Sequence, residues 1–150
     1  MQWINLTGVM VMIALLIPNI IYVVKHVGVK PWHVPEGRLM HVLEQVARYG
    51  VMVLMCLRIP LWAQGYAAPA AQVVWLSLVM PLLLAYCLLW VFYFRKRGKV
   101  LGILLAAIPS AVFLLSGFLW QNLPLTLLAI LFTVLHIRVT WINHRSAEEQ

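Results

Sequence analysis

The chain is divided by five long apolar runs, 6–24, 39–62, 73–94, 100–120 and 123–141, in which apolar and polar residues do not alternate. Lipid-facing barrel strands require that alternation, so the pattern predicts helices rather than β-strands. Each run reaches the length of about 20 apolar residues, at ~1.5 Å per residue, that crosses a bilayer. The intervening stretches, KHVGVKPWHVPEGR, AQGYAAPAAQ, RKRGK and QN, leave no room for a folded aqueous domain. The expected fold is all-α, a single polytopic membrane helix bundle over 1–150 with five transmembrane helices. The first run lacks a basic leader and a small-residue cleavage site, so it is read as a retained span.

Within this frame the few polar residues stand out. In RLMHVLEQVARYG, taking Glu44 as 0° and ~100° per residue, His41 falls near 60°, Arg48 near 40° and Arg58 near −40°, with Gln45 flanking them near 100°. They form one stripe. Glu44 precedes Arg48 by four residues, the favourable order for a helical ion pair. An unpaired Arg deep in a bilayer costs roughly 2.5–3.5 kcal/mol, so Arg48 demands a partner or an aqueous cavity. Arg58, beside Pro60 and Trp62, is expected to reach outward to the interface. Pro35 and Glu36 mark the expected start of this helix.

The first helix carries Pro18 and Asn19, and an Asn amide in lipid needs a protein partner. The last helix places Thr133, His136 and Thr140 on one face. Together Asn19, Tyr22, His41, Glu44, Gln45, Arg48 and His136 are the candidate ligand-binding residues, expected to join helices one, two and five. Pro81 and Tyr86 are expected to line the interior. Pro109, Ser110, Ser116 and Gly117 suggest a kinked, closely packed fourth helix. Cys56 and Cys87 read as buried packing residues, with no disulfide or redox pattern.

Composition and charge then narrow function. Only 10% of residues are charged, and the net charge of +7 is unevenly placed. Lys25, Lys30 and Arg38, then Arg95, Lys96, Arg97 and Lys99, then Arg138 and Arg145 all fall on one side of a five-span bundle, whereas 63–72 and 121–122 hold no Lys or Arg. By the positive-inside rule the N-terminus is out and the C-terminus in, with all five histidines in the inner half. The charge therefore points to anionic headgroups of the bilayer as partner, not to nucleic acid. Asp is absent, and no GxSxG, HExxH or phosphate loop occurs, so no catalytic residues, metal ligands or cofactor are assigned. An intramembrane enzyme using His41, Glu44 and His136 is an alternative, and the same three residues are the one candidate metal set. The favoured reading is non-enzymatic: a site for a small amphipathic molecule or anionic lipid headgroup, or an accessory subunit with a partner membrane protein.

LIPNIIYVVK at 16–25, LEQVARYGVMVLM at 43–55 and SGFLWQNLPLTLLAILFTVLHI at 116–137 resemble a group of small uncharacterised bacterial membrane proteins. That resemblance implies the bacterial inner membrane and places Asn19, Glu44, Gln45, Arg48, Tyr49 and Gly50 at motif positions. KPWHVP at 30–35 resembles the KPxWxPP loop of the translocator/tryptophan-rich sensory proteins, a likeness that implies a porphyrin or sterol binder. Trp32 stands one position early and the second Pro is missing.

Overall fold

The structure, a computed structural model, describes residues 3–25, 38–59, 65–96 and 98–148. It is all-helical, with α1 (Leu6–Lys25), α2 (Arg38–Cys56), α3 (Pro69–Arg95), α4 (Lys99–Leu119) and α5 (Leu123–Glu148). All five helices are long and apolar enough to cross a membrane. The expected start of α2 at Pro35 and Glu36, and the KPWHVP loop, lie outside the described residues.

The helices close into a ring whose neighbours run α1–α2–α5–α4–α3 and back to α1. Chain order and spatial order differ, since α2 packs on α5 rather than α3. Small residues set the closest approaches: a Cβ on Gly117 would fall 2.8 Å from the Thr126 nitrogen, and one on Gly8 2.8 Å from the Met55 carbonyl carbon. Such side-chain-free contacts let helix backbones meet where no aqueous hydrophobic effect drives them together. The interior is filled by Val11, Met12 and Leu15 of α1, Val51 and Met55 of α2, Trp75 and Tyr86 of α3, Val112 of α4, and Leu125 and Phe132 of α5.

Several boundaries differ from expectation. The second helix ends at Cys56 rather than continuing to 62. Pro60 has no N–H to give to the Cys56 carbonyl, which instead accepts Asn5 N–H at 2.8 Å, and an antiparallel bridge pairs Ile4 with Leu57. The third helix begins at Pro69, where a proline at the first turn loses no helical bond. The fifth continues beyond 141 to Glu148 because helix formation outlasts the apolar run. Pro81 and Cys87 lie on the exposed side of α3, not inside, whereas Tyr86 is buried as expected.

At α4 the Ser110 hydroxyl donates to the Ala106 carbonyl at 2.9 Å, beside the break that Pro109 makes in the ladder. The α4–α5 turn is tight. Gln121 takes a φ of 51°, and Asn122 caps α5 by accepting Leu125 N–H on its side-chain oxygen at 3.1 Å.

Candidate functional site

The polar stripe of α2 meets α5 at one carboxylate. Glu44 is 1% exposed, and its Oε1 accepts from Arg48 Nε at 3.1 Å, from the terminal Nη2 of the same guanidinium, and from His136 Nδ1 at 3.0 Å. Three donors on one oxygen satisfy a charge that lipid could not. The Nδ1–H tautomer of His136 is the one this geometry needs, because a carboxylate only accepts. The 3.4 Å approach of Arg48 Nη2 to His136 Nδ1 then places two donors side by side, held by the negative oxygen between them. The imidazole stacks on Phe132, with centroids 4.7 Å apart, which fixes its plane.

The burial of the three groups is graded. The Glu44 side chain is sealed, that of His136 is 20% exposed and that of Arg48 34%. The pair has its acid anchored in the helix interface and its cation turned partly out of it. Arg48 Cα stands about 13 Å along α2 from Leu39, the start of the apolar span. The bond to Glu44, one turn nearer the N-terminus, draws the guanidinium back to a level about 8 Å from that start. Side chains on a helix lean toward its N-terminus, so this is also the natural direction of reach. His136 sits about 9 Å from the Ile142 end of the α5 span, which puts all three groups at one depth.

The remaining expected residues do not all converge here. Asn19 joins helices one and three, not one, two and five: its Nδ2 donates to the Tyr86 hydroxyl at 2.7 Å and to the Leu15 carbonyl at 2.8 Å. The Tyr86 hydroxyl in turn donates to the Leu15 carbonyl, 3.3 Å away. Tyr22 belongs to an aromatic cluster with Trp90, Tyr93 and Phe94, at centroid distances of 5.4 to 6.2 Å. Gln45 is half-buried beside the triad, while His41 is exposed and bonds to neither Glu44 nor His136. The two-histidine, one-carboxylate set is thus not assembled. Among the described residues no three His, Cys, Asp or Glu side chains come together as a metal would require. Thr133 turns its hydroxyl to the Ala129 carbonyl at 2.6 Å and serves its own helix. His26, His33 and Trp32 lie outside the described residues.

Cation–π contacts mark the same end of the bundle. Lys25 Nζ lies 5.4 Å from the Phe94 ring centre and Lys99 Nζ 4.9 Å from that of Trp141, the habit of anchors at a membrane interface. The triad therefore occupies the half of the bundle nearest the basic residues. No protein family, curated protein or solved structure matches the chain.

Proposed function

We propose that this chain is a non-enzymatic membrane protein, N-terminus out and C-terminus in, that holds the anionic headgroup of a lipid or other small amphipathic molecule at Arg48. The observation that carries this reading is the graded burial of the ion pair. A purely structural cation would be enclosed with its acid, yet Glu44 is sealed while a third of the Arg48 side chain stays open. Glu44 fixes the guanidinium rotamer, His136 completes the carboxylate's hydrogen bonds, and the open edge of Arg48 is available to an oxyanion. A depth of about 8 Å from the span end lies within the local thinning and snorkelling that bring phosphates to buried arginines.

The basic residues at that end support the orientation and a cytoplasmic leaflet rich in anionic lipid, as in a bacterial inner membrane. Native mass spectrometry of protein released from mixed phosphatidylcholine and phosphatidylglycerol bilayers tests the reading. Wild-type protein is expected to retain phosphatidylglycerol above its bulk share, and Arg48→Gln to lose that preference. Equal retention by both proteins refutes it.

A further inference from the structure

At the opposite end of the bundle, four chain segments line a half-open cavity of about 310 Å³. Its walls come from the residues just before α1, just after α2, just before α3 and between α4 and α5. Backbone bonds fix these segments to one another: Arg58 N–H donates to the Trp3 carbonyl at 2.8 Å and Gly65 N–H to the Trp120 carbonyl at 3.1 Å. Gly65 has a φ of 87° and lies so close to Arg58 that a Cβ there would be 3.2 Å from the guanidinium. The cation is therefore laid against the backbone at the wall of the cavity.

The lining is chemically one-sided. Among the described lining residues Arg58 is the only charged one, and Asn5, Thr7, Tyr66 and Asn122 supply polar groups, while Ile4 and Leu57 are among the apolar ones. The chain has four acidic residues, Glu36, Glu44, Glu148 and Glu149, of which Glu44 has a described side chain. Glu44 is about 18 Å along α2 from Cys56, where the helix ends two residues before Arg58. Among the described side chains no carboxylate is near enough to answer this cation. Trp120 is 6% exposed and its indole Nε1 is buried without a hydrogen bond of good geometry. It meets Tyr66 edge to face, at a centroid distance of 6.4 Å, and packs on Trp75 at 5.4 Å, which gives the cavity an aromatic floor. Burial raises the Tyr66 phenol above its ordinary range, so it remains a hydroxyl donor at neutral pH.

We infer that this cavity binds a small organic anion, a carboxylate or phosphate carried on an apolar or aromatic body, with Arg58 as the counter-charge. The anion meets Arg58 and the neighbouring amide and hydroxyl groups, and the body lies on Tyr66, Trp120 and the aliphatic wall. The site is separate from Arg48 and stands without the function proposed above.

The test is a fluorine NMR titration of para-fluorophenylacetate against the full chain in phosphatidylcholine nanodiscs. Saturable broadening is expected for wild type and for the remote Gly98→Ala, with binding weakened at least tenfold in Arg58→Gln and absent for the neutral para-fluorophenylacetamide. Displacement of the probe by inorganic phosphate supports a soluble oxyanion as occupant; displacement only by phosphatidylglycerol supports a lipid headgroup. Unchanged binding in Arg58→Gln, equal binding of the amide, or a probe displaced by neither competitor overturns the inference. Should Arg58→Gln not fold, the Trp120 indole N–H resonance of wild type reads the same cavity. It is expected to shift on titration, and its failure to move overturns the assignment.

Discussion

Removing either member of the Glu44–Arg48 pair leaves the other without its partner, but the two losses should be unequal. Arg48→Gln strands a carboxylate that is 1% exposed without its cationic partner, leaving His136 as the one native donor to it. Breaking a buried pair in this way costs about 3–5 kcal/mol, and the surviving imidazole bond places the expected loss near the lower bound, about 3 kcal/mol. Glu44→Gln strands a guanidinium whose side chain is 34% exposed and which can turn toward the interface, so about 2 kcal/mol is expected. The double variant has no orphaned charge. Its cost should stay near that of the worse single change, giving a coupling of about 2 kcal/mol. Reversible unfolding in mixed detergent micelles, followed by near-ultraviolet circular dichroism, measures all four corners of the cycle. Single costs that add to within about 0.5 kcal/mol would refute the pairing, and Glu44→Gln proving the more damaging would refute the burial argument.

Other perturbations follow from the same geometry. Gly8→Ala and Gly117→Ala push a methyl into the backbone of a neighbouring helix and should each cost about 1–3 kcal/mol, whereas Gly98→Ala, with nothing within 4 Å, should be nearly neutral in the same unfolding assay. Asn19→Leu should cost about 1 kcal/mol, and far less when Tyr86 is already Phe, because the two side chains bond to each other. Tyr66 has a folded-state pKa raised by burial, so its contribution is intact below the ordinary tyrosine value of ~10 and is lost as pH climbs through the raised one. Melting temperature should fall on the alkaline side of that value, less steeply in Tyr66→Phe; identical alkaline profiles would contradict this.

The sequence made some of this architecture readable because the signals were local. Five apolar runs need only length and composition, and the Glu44–Arg48 pair needs only the four-residue spacing of one helix. His136 is legible only through a coarser signal, that it shares the basic half of the chain's helices, and the ring order that sets α5 beside α2 brings it to the carboxylate. That order is a matter of which helices pack, and no periodicity along one chain encodes it. Asn19 in an apolar helix visibly needs a partner, but the partner is Tyr86 on α3, an aromatic in an apolar run with nothing in its spacing to set it apart. Arg58 looks in the sequence like an interfacial anchor because its cavity is assembled from four chain segments, each unremarkable alone. The early stop of α2 was in principle legible: Pro60 removes the donor that the Cys56 carbonyl would otherwise use, and the apolar run through Trp62 concealed it.

The central claim is that the open edge of the Arg48 guanidinium meets an oxyanion inside the cytoplasmic half of the bilayer. Phosphorus-to-nitrogen dipolar dephasing by solid-state NMR measures it most directly, using protein with labelled arginine side chains in phosphatidylglycerol bilayers. The account predicts that one component of the dephased guanidinium signal, over and above that of the interfacial arginines, is removed by Arg48→Gln and left in place by Arg58→Gln. A dephasing pattern unchanged by the loss of Arg48 would contradict it.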